Sequence, residues 1–128
     1  MRVDIDNLVS HAKLARKNAY APYSNFSVGA AVLACNKIYH GCNVENASYG
    51  LTMCAERVAI FKAVSDGCRS VDAVTIYAEP KAYPCGACLQ VMAEFCSKDC
   101  KIIVAGKNAV EVYALSELLP HAFSKDTF

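Results

Sequence analysis

The sequence predicts an α/β fold, a three-layer sandwich in which a mixed five-stranded sheet carries helices on both faces. Three observations lead there. The apolar pattern changes period along the chain in the order α-β-β-α-β-α-β-β-α. Two stretches have the form β-α-β, and each needs a crossover that lays a helix over the sheet. The 128 residues suffice for one such core, and no repeat, linker or low-complexity segment divides them, so residues 1–128 are expected to form a single domain.

From Asp4 to Tyr20, apolar Ile5, Leu8, Val9, Ala12, Ala15 and Ala19 recur at three- and four-residue steps. This is an amphipathic helix, with Asp4 or Asp6 as its cap and Pro22 as its stop. SVGAAVLAC and KIYHGCNV are strand-like runs meeting at Asn36-Lys37, where asparagine tolerates the left-handed conformation of a tight turn. A second helix is expected from Cys54 to Asp66, capped by Thr52 and stopped by Gly67. VDAVTIYAE, residues 71–79, is rich in β-branched and aromatic residues and reads as a buried strand. A helix over about Gly86 to Ser97 follows, then the short strands KIIVAG and AVEVYAL, and a brief helix ELL that Ser116 can cap before Pro120.

Composition excludes several classes of function. The longest apolar stretch, Val28 to Cys35, is far too short to span a bilayer, although 55% of the chain is hydrophobic. Charges interrupt the apolar positions of MRVDIDNLVSHAKLARKN, which lacks the unbroken apolar segment of a signal peptide, so a cytoplasmic location is expected. Thirteen basic residues nearly balance twelve acidic ones, leaving no broad field to grip long nucleic acid. In such a chain, clustered cysteines point to metal binding or catalysis more than to a disulfide scaffold.

Three of the eight cysteines cluster by pattern. In PCGAC, Cys85 and Cys88 are three apart at an expected helix start, and in TMCAER, Cys54 stands at another with Glu56 two residues on. A redox pair would need only the CxxC. A third cysteine at a second helix start is better explained by zinc, since thiolates are soft ligands and three of them fill three tetrahedral corners. No fourth ligand is evident nearby, and three protein ligands plus water mark a catalytic site.

Residues two apart on regular helix point about 200° away from each other. Cys54 is therefore expected at the frayed first position, with Cys85 and Cys88 sharing one face of a first turn. Both helix ends direct positive dipole at thiolate charge. Zinc with three thiolates carries one net negative charge, and Arg57 is a candidate donor to a ligand sulfur. Cys35, Cys42, Cys68, Cys96 and Cys100 each stand singly and read as structural, without partners. His11, His40 and His121 are isolated in the sequence and belong to no ligand pattern.

NVENASYGLTMCAERVAIFKAV together with PCGACLQVMAEF resembles the small homotetrameric cytidine deaminases, and YAPYSNFSVGAA and ELLPHAFS extend the resemblance nearly end to end. It implies one zinc ion per subunit on Cys54, Cys85 and Cys88, and attack on C4 of cytosine by a zinc-activated hydroxide while Glu56 shuttles protons. The products would be uridine or 2′-deoxyuridine and ammonia, as in pyrimidine salvage. Asn43 and Glu45 would bind the ribose 3′-hydroxyl, the Ala55 backbone the base edge, and Phe26 would line the base pocket. Phe123 would reach into a neighbouring subunit's site, with Tyr49 near the subunit junction of a homotetramer.

Two departures lie beside the metal: Leu89 where the family usually has arginine, and Tyr83 where serine commonly precedes the proline. His121 replaces a frequent glycine. Two other readings fit the zinc pattern. One is a related aminopyrimidine nucleoside deaminase of the blasticidin type, with an altered sugar site; the other is a non-catalytic structural zinc module, which needs a fourth ligand. A polynucleotide deaminase would need a basic groove with stacking aromatics.

Overall fold

A computed structural model describes residues 3–127. Helix α1 (Ile5–Ala15) is followed by strands β1 (Val28–Ala34) and β2 (Lys37–Cys42), helix α2 (Ala55–Ser65), strand β3 (Val71–Ala78) and helix α3 (Gly86–Phe95). Strands β4 (Cys96–Ala105) and β5 (Val110–Ala114) and the single-turn helix α4 (Leu115–Leu118) complete it. The sheet order is β2-β1-β3-β4-β5, antiparallel except between β3 and β4. Helix α2 makes the crossover from β2 to β3, and α3 the crossover from β3 to β4, as the two β-α-β patterns require.

Strand alternation sorts the core into two layers. Ala31, Ala73, Tyr77, Ile103 and Ala105 face α1, where they pack with Leu8 and Ala12. Ala30, Val32, Val74 and Ile102 face the other way, with Ala59, Ile60 and Met92 from α2 and α3. Small residues set how closely the helices lie. A Cβ on Gly29 would fall 2.0 Å from the Ala12 carbonyl oxygen, and one on Gly41 would fall 2.3 Å from that of Ala55. The start of α2 thus rests directly on β2.

Several boundaries move for tertiary reasons. Helix α1 ends at Ala15 and passes through a 3-10 turn, Arg16–Asn18, well before Pro22. Tyr20 leaves the helix because its N–H donates to the Asn43 carbonyl (2.9 Å) and its own carbonyl accepts from Glu45 N–H (2.8 Å). Thr52 does not cap α2: Met53 and Val44 exchange backbone hydrogen bonds of 2.9 and 3.0 Å, which hold the chain extended until Cys54 takes the capping position.

In the β1–β2 hairpin the left-handed residues are Cys35 (φ 50°) and Asn36 (φ 62°), one position earlier than Asn36-Lys37, as a two-residue turn with both centres left-handed demands. Gly67 (φ 100°) ends α2 as expected. Helix α3 stops at Phe95, and β4 begins five residues before Lys101, because Cys96 pairs with Val71 across a bulge. Helix α4 is capped by Glu117, whose Oε1 accepts from Ala114 N–H at 2.8 Å, and not by Ser116.

The solitary cysteines and histidines also need correction. Cys35 and Cys68 form a disulfide that ties the hairpin turn to the segment after α2. Cys96 and Cys100 bring their sulfurs to 3.0 Å across the bulge. His11 Nδ1 and His40 Nε2 lie 2.7 Å apart between α1 and β2. None of these pairs has a local sequence signature, because the sheet brings together residues far apart in the chain or, at the bulge, folds the strand back on itself.

The disulfide closes a loop with a sequence separation of 33 residues. Restricting the unfolded chain over such a loop contributes about 3–4 kcal/mol. Cys35→Ser is expected to lower the unfolding free energy in urea by about that amount, and the parent protein with dithiothreitol should fall to the same value.

Candidate metal centre and substrate cavity

The ends of the two crossovers meet at the carboxyl end of β3. Cys54 (φ −74°, ψ 151°) and Cys85 (φ −74°, ψ 169°) are the extended capping residues of α2 and α3, and Cys88 sits in the first turn of α3. Cys54 thus occupies the non-helical position that lets it share a site with Glu56. The sulfurs of Cys54 and Cys85 are 3.9 Å apart and those of Cys85 and Cys88 3.5 Å, and all three lie within 4.8 Å of one another. Three corners of a ZnS4 tetrahedron with bonds near 2.3 Å are separated by about 3.8 Å, so the set fits zinc. Among the described residues no fourth His, Cys, Asp or Glu joins the group.

Charge is managed around the sulfurs. Arg57 Nη2 donates to Cys54 Sγ at 3.3 Å. The neighbouring Cys88 thiol, and with it the Arg57 guanidinium, holds the Cys54 thiol down at about 5, and the Cys54 thiolate in turn helps push Cys88 up. Arg57 Nε is buried without a protein partner among the described residues. Its positive charge therefore serves the sulfur cluster with little competition.

Glu56, the second residue of α2, is only 5% exposed. Burial, reinforced by the Cys54 charge, pushes its carboxyl up to about 7. A group so placed changes protonation state readily near neutral pH, which suits proton transfer.

A cavity of about 260 Å3 opens beside these groups. Cys54, Ala55, Glu56 and Cys85 line its metal end; Phe26, Asn43 and Glu45 line it too. Asn43 is buried, with Oδ1 accepting from Val28 N–H (2.9 Å) and Nδ2 donating to the Phe26 carbonyl (2.8 Å). Glu45 Oε1 accepts from the N–H groups of Tyr23 (2.9 Å) and Ser24 (3.0 Å), and Oε2 accepts from the Ser24 hydroxyl. Those bonds, led by the Ser24 hydroxyl, lower the Glu45 pKa. Each side chain keeps unused capacity, one amide hydrogen and a lone pair on Asn43 and a lone pair on Glu45. Ala55 N–H is among the four that a helix start leaves without an internal partner.

Other predicted residues fall elsewhere. Phe123 is 58% exposed and does not line the cavity; its carbonyl accepts from Gln90 Nε2 at 2.6 Å. Tyr49 is 74% exposed, its ring edge-on to Tyr23. Leu89 is buried in the α2–α3 core, whereas Tyr83 lines the cavity. Ser24, Ile76 and Ala82 also line it. Sequence reasoning did not single out these three, and only the adjacency of Ser24 to Phe26 hinted at one of them.

A three-thiolate centre with one corner free of protein and a buried acid beside it is the apparatus of a zinc-dependent hydrolase. Residues 3–105 match the family model for the cytidine and deoxycytidylate deaminase zinc-binding region. Over 128 residues the chain is 49% identical to a cytidine deaminase of Sporosarcina psychrophila, covering 97% of this chain and 94% of that one. It is 48% identical to a cytidine deaminase of Halalkalibacterium halodurans, covering 97% of each. The crystal structure of cytidine deaminase from Burkholderia pseudomallei superimposes with a TM-score of 0.89 at 44% identity, covering 94% of this chain and all of that one. That of Mycobacterium tuberculosis gives 0.83 at 36% identity, covering 96% and 99%. The chain belongs to the zinc-binding cytidine and deoxycytidylate deaminase family, and zinc is its cofactor.

The contact between Gly41 and Ala55 offers a test of how the centre is positioned. A methyl group there must push the first turn of α2 outward. Gly41→Ala is expected to cost about 1–3 kcal/mol in urea unfolding and to weaken zinc binding about tenfold in competition with a chromophoric chelator.

Proposed function

We propose that this protein hydrolyses cytidine and 2′-deoxycytidine to uridine and 2′-deoxyuridine with release of ammonia. The observation that carries the reading is the buried Glu56 carboxyl beside a cluster of three cysteine sulfurs with no fourth protein ligand among the described residues. Cys54, Cys85 and Cys88 would hold the zinc ion, which supplies the Lewis acidity that makes water nucleophilic at neutral pH. Arg57 draws negative charge from the Cys54 sulfur. Protonated Glu56 gives its proton to N3 of the cytosine ring, which makes C4 electrophilic. It then takes a proton from the attacking water and passes one to the 4-amino group, which leaves as ammonia, while the new C4 hydroxyl returns its proton to Glu56 as it becomes the carbonyl.

The spare hydrogen-bonding capacity of Asn43 and Glu45 suits the ribose 3′-hydroxyl, and the Ala55 backbone suits the base edge. Phe26 offers an apolar wall for the pyrimidine ring. A site that grips the 3′-hydroxyl and makes no demand at the 2′ position accepts both nucleosides. Among the described residues no helix is long and apolar enough to cross a membrane. A cytoplasmic setting belongs to the same proposal.

Self-association as a homotetramer completes the proposal. Tyr49, Leu51 and Phe123 are 74%, 67% and 58% exposed, a large apolar investment for a free surface. Packing against another subunit would bury them and bring Phe123 to a neighbour's cavity. Light scattering of the purified protein is expected to give a mass of four chains; a monomer would remove Phe123 from the site.

Glu56→Gln keeps the shape of the side chain and removes its acid–base function. It is expected to lower the rate of cytidine absorbance loss by about 100-fold or more while retaining one zinc per chain. A variant that keeps its zinc and most of its rate would eliminate Glu56 as the proton shuttle. Zinc bound with no deamination by the parent protein would favour a structural zinc module instead.

A further inference from the structure

Residues 79–85 carry the chain from β3 to α3 and end in the ligand Cys85. Ala82, Tyr83 and Cys85 also form a wall of the cavity. Among the described residues, no backbone–backbone hydrogen bond outside the helices and strands involves residues 79–84. Something other than the backbone must hold this wall still.

Glu79, at the start of the segment, accepts from the Tyr77 hydroxyl (2.6 Å) and pairs with Arg16 (3.8 Å), whereas Lys81 and Tyr83 converge on Glu111, in the edge strand β5. Tyr83 donates from Oη to Glu111 Oε1 at 2.8 Å, Lys81 Nζ pairs with Oε2, and the Tyr113 hydroxyl donates to Oε1. Tyr83 lies edge-on to Tyr113 with centroids 6.2 Å apart, and Lys81 Nζ stands 5.7 Å from the centre of the Tyr83 ring. The segment also leans on Gly106 at the end of β4, where a Cβ would lie 3.1 Å from the Pro80 carbonyl oxygen and from Lys81 Cβ. Lys81 first, then Tyr113 and Tyr83, hold the Glu111 carboxyl down at about 2, so it stays anionic at any working pH.

We propose that Glu111 is a positioning residue, which through Tyr83 and Lys81 holds the cavity wall and the Cys85 ligand in place from the far edge of the sheet. The inference rests on the deaminase reading above. A side chain as short as serine at position 83 would not span the gap that the phenol ring bridges to Glu111. If the brace slackens, Cys85 moves relative to Cys54 and Cys88, and the wall formed by Ala82 and Tyr83 moves relative to the pyrimidine ring. Proton transfer by Glu56, on the other crossover, is not directly disturbed. The expected signature is therefore a change in KM and in zinc retention more than in kcat.

The test uses the zinc-loaded protein and three variants, Glu111→Ala, Glu111→Gln and Tyr83→Phe. Zinc release is followed with 4-(2-pyridylazo)resorcinol, and KM and kcat are measured with cytidine. Glu111→Ala is expected to release zinc about tenfold faster, with KM raised several-fold and kcat within about twofold. Glu111→Gln, which keeps an acceptor for both phenols, should recover part of each effect. Tyr83→Phe removes one hydroxyl and should fall between Glu111→Ala and the parent. Val112→Thr, on the same exposed strand, serves as a control and should leave both readouts unchanged. Zinc release within about twofold of the parent in both Glu111→Ala and Tyr83→Phe would overturn the proposal. Should Glu111→Ala fail to fold, Tyr83→Phe decides alone. A parent that binds zinc and does not deaminate would refute the functional reading while leaving the zinc-release comparison intact.

Discussion

Cys54, Cys85 and Cys88, within 4.8 Å of one another, would repel as the three thiolates that zinc requires, and the groups around them offset that repulsion. A dication is the largest compensation, but three thiolates outweigh it by one charge. The remainder must come from the fold. Two helix N-termini supply partial positive charge, because Cys54 and Cys85 are capping residues of α2 and α3. Arg57 supplies a full one at 3.3 Å from Cys54. Burial, and after it the Cys54 charge, raises the Glu56 carboxyl. Ligand chemistry and acid–base chemistry are thus coupled through one local electrostatic problem.

That problem dictates the sheet topology at the site. Two helix starts can converge only where two crossovers enter from the same end of the sheet. The parallel pair β3–β4, with β2 running in the same direction on the far side of β1, provides this arrangement. How closely the starts converge is a matter of small residues. Gly41 lets the Ala55 carbonyl approach β2, and Ala59, wholly buried, continues the contact one turn on. The small residues that allow this approach are Gly41 in β2 and the buried Ala55 and Ala59 of α2. Close packing also transmits displacement, so a methyl group on Gly41 acts on the metal ligands without touching them.

Much of this was legible in the amino-acid order, and what was not shares a physical cause. The five strands, the order of helices and the three ligands follow from periodicity and from CAE and PCGAC, all of which are local signals. A departure from regular helix at Cys54 could be deduced, since regular helix would turn it away from Glu56, although the expected frayed first position is in fact an extended cap one residue before α2. The end of α1 could not, because Tyr20 is recruited by Asn43 and Glu45, more than twenty residues ahead. The Cys35–Cys68 bridge was invisible for the same reason, as was the Cys96–Cys100 contact, which depends on a bulge and not on a motif. Leu89 is instructive in the other direction. Its position after Cys88 suggests a lost charge beside the metal, yet the side chain is buried in the α2–α3 core, where an arginine would have been costly to desolvate.

Asn43 and Glu45 show why the substrate side of such a site is harder to read than the metal side. Thiolates in a zinc centre have one role, whereas these two residues have a role in the fold beside the binding role proposed for them. Asn43 bridges the Val28 and Phe26 backbones, and Glu45 gathers the 23–24 turn. Either would be required for the fold if no ligand ever bound. What distinguishes them is residual valence: Asn43 retains one amide hydrogen and one lone pair, and Glu45 one lone pair, in a wall of the cavity. Holding a polar side chain rigid with most of its bonds and leaving one toward the cavity reduces the ordering cost when a hydroxyl arrives. The structural role is therefore the means by which the proposed binding role would be preorganised, and substitutions at either position would move both together.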